Sequence, residues 1–195
     1  MPLIMEANRK SDILQVVAFK ERYPQTNIVL MGAAQGWRVA EQLAQANIAV
    51  IVNPEMNLPE SFDALGASME NAARLESAGV TVAIGMETHN IRLATQHAGN
   101  AVANGLSHEA ALASLTSNPA RIFGVQETVG SLRTGARADV VIWSGDPLEV
   151  TEYAEQVFVD GEAVDMRSRQ TDLRDRYLNH QRDGSMPPQY IPGSR

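Results

Sequence analysis

Cysteine is absent from this 195-residue sequence, which excludes a disulfide framework and any thiolate metal site and fits a reducing compartment. Basic residues are outnumbered as well: 16 Lys and Arg stand against 23 Asp and Glu, a formal net charge of -7, and no basic cluster interrupts that balance. A nucleic-acid groove or an anionic membrane surface is therefore not expected as the main partner. No apolar run approaches the ~20 residues that a membrane span needs. The opening Met1-Pro2-Leu3-Ile4-Met5-Glu6 lacks both the basic region and the apolar core of a secretory signal. If Met1 is the true start, a cytoplasmic location is expected.

What is present is enough for one substantial core, or one core with an appendage, since 44% of the residues are hydrophobic. Leu3-Ile4-Met5, Ile28 to Met31, Ile48 to Val52 and Val80 to Ile84 are short apolar runs of the kind found in parallel strands covered on both faces. Helical patterns separate them. Ser11 is placed to cap a helix carrying Ile13, Val16 and Val17, with Pro24 as its stop. Val39, Ala40, Leu43 and Ala44 recur at helical spacing, as do Ala72, Leu75 and Ala78, with Gly79 where a left-handed residue ends a helix. The order βαβαβαβ implies a parallel sheet with right-handed crossovers.

Two more helices are expected, over Ile91 to Asn104 and Ser107 to Thr116, before Asn118-Pro119 ends the helical part. From Gly130 the pattern turns to β. Asp139 to Trp143 reads as a strand, and Gln156 to Val159, Asp160-Gly161 and Glu162 to Val164 read as a hairpin with an Asp-Gly turn. The charged and then Pro-rich remainder reads as an arm that lies on a surface or stays mobile. The expected division is 1–125, 126–166 and an extended arm over 167–195.

Three stretches in order carry a family resemblance: Ala110 to Gly124 (AALASLTSNPARIFG), Gly130 to Pro147 (GSLRTGARADVVIWSGDP) and Val157 to Gly161 (VFVDG). Together they resemble the end of imidazolonepropionase-like amidohydrolases. Upstream, Ala72 to Gly85 resembles the last barrel strand of that family and the helix before it. The resemblance implies an α/β fold: the second half of a (β/α)8 TIM-like barrel, four parallel strands with their helices, plus part of a small C-terminal β-domain. It also implies hydrolysis of carbon–nitrogen bonds of a cyclic amide or a peptide-like substrate. The implied cofactor is zinc or a similar divalent metal, although none is evident from the ligands of this chain.

In the family the active site lies at the C-terminal ends of the strands. The strands matched here correspond to the fifth to eighth, of which the fifth and sixth each end in a histidine ligand and the eighth carries an aspartate acting on metal-bound water. Here the first strand ends Met5-Glu6-Ala7-Asn8, with Glu6 or Asn8 in the histidine's place, and the second ends Met31-Gly32-Ala33-Ala34-Gln35 without a ligand before Gln35. The fourth ends Gly85-Met86-Glu87-Thr88-His89-Asn90, so Met86 or Glu87 takes the aspartate position. A hydrolytic metal site needs about three convergent ligands. No metal ligand set is assigned; a retained site would draw at most on Glu6, Glu87 and His89.

The catalytic candidates are Glu87 and His89, just past a strand end, with imidazole suited to proton transfer near neutral pH. Alternatively His89 begins the following helix and Glu87 is solvated. Glu6, Asn53 and Asn90 are the substrate-binding candidates. Glu6 otherwise pairs with Arg9 or is exposed, and the loop from Asn53 to Pro59 either lines a pocket or is an ordinary connection. His97 is expected packed or exposed, His108 and His180 on the surface, Asp139 in a structural role in the hairpin, and Trp37 and Trp143 as packing anchors.

An open four-stranded barrel segment leaves strand edges unpaired. The expected partner is a second copy of the chain or a complementing N-terminal half, with a small-molecule ligand. With the usual ligands displaced, the alternative to a hydrolase is a non-catalytic binding or partner subunit of the same fold.

Overall fold

The computed structural model describes residues 1–56, 61–86 and 89–183, with the backbone alone over 179–183. Strands β1 (Leu3–Ala7), β2 (Ile28–Gly32), β3 (Ala49–Val52) and β4 (Val82–Ile84) form one sheet in that order, every neighbour parallel. Each strand lies beside its predecessor. That is how a barrel wall is wound, whereas a doubly wound sheet reverses its strand order at a switch point.

Helices α1 (Lys10–Arg22), α2 (Ala40–Gln45) and α3 (Asn71–Ser77) make the crossovers. Alternation along the strands separates two faces. Ile28, Leu30, Val50, Val52 and Val82 face the helices and join Ile13, Val16, Leu43 and Leu75 in the main core. Val29, Ala49, Ile51 and Ala83 point the other way, toward what would be the inside of a barrel.

The first helix does not start as expected. Ser11 lies inside α1, its hydroxyl donating to Asp12 Oδ1 at 3.0 Å, and Arg9 stands at the N-cap without a side-chain capping bond. The amides of Asp12 and Ile13 both reach Arg9 O, so the first turn is already closed before Ser11 can cap it. Pro24 does follow the end of α1, where Lys20 Nζ donates to Pro24 O and Thr26 O at 2.8 Å each.

A 3-10 turn over Ile91–Leu93 leads into α4 (Ala94–Ala103), followed by α5 (His108–Leu115). Ser107 caps α5, its hydroxyl accepting from Ala110 N at 3.2 Å. Asn118-Pro119 does not end the helical part, because it lies in α6 (Ser117–Ile122). Proline costs little in a first turn, where its missing N–H would have had no intrahelical partner. This helix closes the lower inner face: Ile122 packs on Val29 and Ala83, and Asn118 Nδ2 donates to Val82 O at 2.8 Å.

The second sheet is antiparallel, in the order β5 (Val140–Trp143), β6 (Ala154–Val159) and β7 (Glu162–Ala163). Asp160 and Gly161 turn β6 into β7 with φ of 53° and 83°, as the Asp-Gly pair leads one to expect. The three strands pair with one another, yet none of their residues is buried. The segment expected as an extended arm is instead helical over α7 (Arg169–Asp183). Ser168 and Thr171 start it reciprocally: Ser168 Oγ accepts from Thr171 N at 3.2 Å, and Thr171 Oγ1 accepts from Ser168 N at 2.8 Å. No helix among the described residues is long and apolar enough to cross a membrane.

Candidate active site at the strand ends

Pairing places Glu6 opposite Met31, Met31 opposite Ile51 and Ile51 opposite Ala83. Paired residues of parallel strands share a face, so Glu6 belongs to the inner layer near the C-terminal end of the sheet. Its side chain is exposed and has no hydrogen-bond partner among the described residues. The expected alternative, a pair with Arg9, does not form: Arg9 bridges to Asp63, because it sits beyond the strand end and turns toward the loop that precedes α3.

Asn8, the other residue weighed at this strand end, braces the backbone. Its Oδ1 accepts from Ala34 N at 3.2 Å while its main chain accepts from Gln35 N at 3.0 Å. The segment it holds turns sharply after β2, with Gly32 at φ 88° and Ala33 at φ 51°. A Cβ on Gly32 would stand 2.6 Å from Asn8 Oδ1, so glycine is required there. Gln35 is engaged too, its Oε1 accepting from Lys10 N at 3.3 Å. The first two strand ends are thus tied to each other by amide side chains.

Asn53 follows β3 and is half-buried, its Oδ1 accepting from Glu55 N at 3.0 Å. His89 lies exposed in the connection after β4, and Asn90 occupies the N-cap of the 3-10 turn, its carbonyl accepting from Leu93 N at 3.0 Å. Glu87 lies outside the described residues, as do the end of the Asn53 to Pro59 loop and the side chain of His180. Glu6, Asn53, His89 and Asn90 all come to the same end of the sheet. No hydrogen bond or ion pair among the described residues joins Glu6, Asn53 and His89 to one another.

A cluster the sequence did not reveal lies at the same end. Glu55 Oε1 stands 3.3 Å from His97 Nε2 and accepts from Asn100 Nδ2 at 3.2 Å. His97 is buried at 4% exposure, and its Nδ1 has no partner among the described residues. The i, i+3 spacing of His97 and Asn100 on α4 was visible in the sequence, but nothing local joins it to Glu55.

The remaining candidates hold structure. Asp139 Oδ1 accepts from Asp160 N at 3.0 Å, and its other oxygen accepts from Arg137, fixing β5 to the hairpin turn. The Arg137 guanidinium, and then the Asp160 amide, hold the Asp139 carboxyl below its ordinary range. Asp146 is lowered likewise, first by the Leu148 amide and then by His108, whose Nε2 lies 2.7 Å from Asp146 Oδ2. Trp37 anchors α3: its Nε1 donates to Gly66 O at 2.8 Å, and Arg74 lies over its ring at 4.6 Å. A groove of about 920 Å³ beside Trp37 opens on the outer helical layer, away from the strand ends.

No group of three His, Asp or Glu side chains converges among the described residues. Those residues alone therefore do not fit the three-ligand set that a hydrolytic divalent ion requires.

A parallel wall wound strand by strand, with an antiparallel sheet beside it, defines one side of a (β/α) barrel accompanied by a small β-domain. Residues 24–164 match the Amidohydrolase family, and the chain belongs to that family. Its fold is similar to an amidohydrolase from Thermotoga maritima MSB8, with a TM-score of 0.78 and 31% identity over 86% of this chain and 44% of that one. In sequence it is 38% identical over 84 residues to adenine deaminase 2 of Jannaschia sp. (strain CCS1), covering 43% of this chain and 12% of the relative. It is also 44% identical over 59 residues to amidohydrolase tasK of Hapsidospora irregularis, covering 30% of this chain and 6% of the relative. The chain thus spans less than half the length of each.

Proposed function

We propose that this chain carries the second half of a barrel hydrolase that cleaves carbon–nitrogen bonds of a cyclic amide or peptide-like substrate. The remaining barrel strands come from another segment or from a second chain. What supports this reading is the inner-face position of Glu6 at the end of β1, within a sheet whose winding and family membership both point to a barrel. In it residues 1–125 form the barrel half, 126–166 the strands of a composite β-domain and 167–195 an appended segment.

Glu6 and His89 take the reactive face, Glu6 from the inner layer and His89 from the loop after β4, with Glu87 beside it in sequence. Asn53 and Asn90 line the approach to that face. No step is assigned to a metal, because the described residues do not assemble its ligands. A non-catalytic relative is the second reading. The end of β2 favours it, since Gly32, Ala33 and Ala34 offer no ligand side chain and are committed to a braced turn.

Metal analysis of the purified protein, together with amidase and lactamase assays, separates the two. Stoichiometric zinc with turnover that disappears in Glu6→Ala and His89→Ala supports the hydrolase. Absence of both metal and turnover supports the non-catalytic partner.

A further inference from the structure

Glu55 is held more completely than a loop carboxylate at 46% side-chain exposure ordinarily is. Its amide donates to Asn53 Oδ1 at 3.0 Å, and one carboxylate oxygen, Oε1, faces both His97 Nε2 at 3.3 Å and Asn100 Nδ2 at 3.2 Å. The second oxygen, Oε2, has no partner among the described residues. Asn100 thus donates to one oxygen, His97 Nε2 lies within ion-pair distance of the same atom, and the turn through Asn53 fixes the main chain.

The cost of this arrangement is borne by His97. It is buried with Nδ1 unpaired, a position where an apolar side chain would pack without leaving a polar atom stranded. Other ionisable groups do not account for it. Against α4 pack α3, α5, β4 and the preceding 3-10 turn. Arg74 on α3 is paired with Glu70, Glu76 on α3 lies 3.5 Å from Ser107 Oγ, and His108 on α5 meets Asp146. Arg92 in the turn and Glu109 on α5 are exposed, and β4 carries no ionisable side chain. Glu55 alone among the described residues lies within ion-pair distance of His97.

We propose that Glu55 is a further ligand-facing carboxylate of the strand-end face, which uses Oε2 to receive an N–H group of the ligand, amine or amide. His97 and Asn100 act as its positioning residues. A carboxylate already oriented and partly desolvated loses little freedom on binding, and this is what fixed donors behind it supply. The proposal rests on reading the strand ends as the reactive face, and it extends that reading to a residue beyond Glu6, Asn53, His89 and Asn90.

Nitrogen-15 NMR of the full chain at neutral pH, with benzylamine as the probe, tests it without requiring turnover. The expected result for the unaltered protein is a His97 ring carrying its proton on Nε2, with that proton resonating at low field. Glu55→Gln moves it upfield, because a neutral amide oxygen replaces a carboxylate, and Glu55→Ala abolishes the low-field signal. Benzylamine shifts the Glu55 amide and the His97 Nε2–H saturably, and Glu55→Gln weakens that binding by about fivefold or more. Asn100→Ala weakens it less, with the Nε2–H signal retained. A His97 ring protonated on Nδ1, or a signal indifferent to both Glu55 substitutions, overturns the positioning role. Equal benzylamine affinity in the unaltered protein and Glu55→Gln overturns the ligand role. Either result leaves the metal and turnover measurements standing on their own.

Discussion

Gly99 on α4 leaves room for the main-chain carbonyl of Leu148: a Cβ at position 99 would stand 2.4 Å from Leu148 O. Leu148 belongs to the segment that leaves β5, yet its side chain is buried in the core of the barrel half. Asp146 shapes that approach, its Oδ1 accepting from Leu148 N at 3.0 Å. The Ser-Gly-Asp-Pro run at the end of the family signature is therefore a clasp between the small sheet and the helical layer.

Gly99→Ala is expected to destabilise the protein by about 1–3 kcal/mol, because the close neighbour is backbone and cannot turn aside. Leu148→Ala, which removes buried atoms without a clash, is expected to cost about 2–5 kcal/mol. Urea unfolding of both variants checks the pair. Full tolerance of alanine at 99 contradicts the close approach.

Asn71 is the polar residue that fixes the turn after β2 to α3. Its Oδ1 accepts from Trp37 N and its Nδ2 donates to Ala33 O, each at 2.9 Å, with the residue 8% exposed. Asn71→Ala strands both backbone groups and is expected to cost about 2–3 kcal/mol. Denaturant unfolding measures the loss.

The clasp is also expected to respond to acid. The Asp146 carboxyl lies below its ordinary value of 3.8, so the folded state releases this proton more readily than the unfolded chain. Its contribution to stability is fully present above the ordinary value and is lost as pH falls through the lowered one. The difference in urea midpoint between the unaltered protein and Asp146→Asn is therefore expected to close as pH falls below about 4. A gap that persists or widens below about pH 4 contradicts the assignment.

Glu6 is exposed and its side chain has no hydrogen-bond or ion-pair partner among the described residues. Glu6→Gln is expected to change stability by less than about 0.5 kcal/mol, as for other exposed sites without partners. Thermal unfolding is the check, and a large loss would show a structural role instead of one at the reactive face.

The parts of the fold legible in the sequence were those encoded locally. Continuous apolar runs announced β1 to β4, and the Asp160-Gly161 pair announced its hairpin through its tolerance of positive φ. Ser107 announced the start of α5. Where two local signals compete, the sequence misleads: Asn118-Pro119 reads as a stop, yet its first-turn position makes it part of a start, and the Ser168 and Thr171 cap of α7 is obscured by the charged residues around it.

The candidate site was legible only as a set of positions. Glu6, Asn53, His89 and Asn90 do gather at the strand ends, because a parallel sheet sends every strand-to-helix loop to one end. What each side chain does there depends on chain crossings. Asn100 and Glu55 meet across 45 residues, Asn8 reaches the turn after β2 across 26, and Arg9 turns to Asp63 instead of Glu6. No periodicity in the sequence records such meetings.

The central claim is that this sheet is one side of a barrel and needs a complement along its open edges. Leu3 and Ile4 are exposed on β1, the first edge, and no residue of β5 to β7 is buried. Light scattering on the purified chain during size-exclusion chromatography tests this most directly. An assembly larger than the 21.2 kDa chain is the expected result. A well-folded, monodisperse monomer of that mass would contradict it.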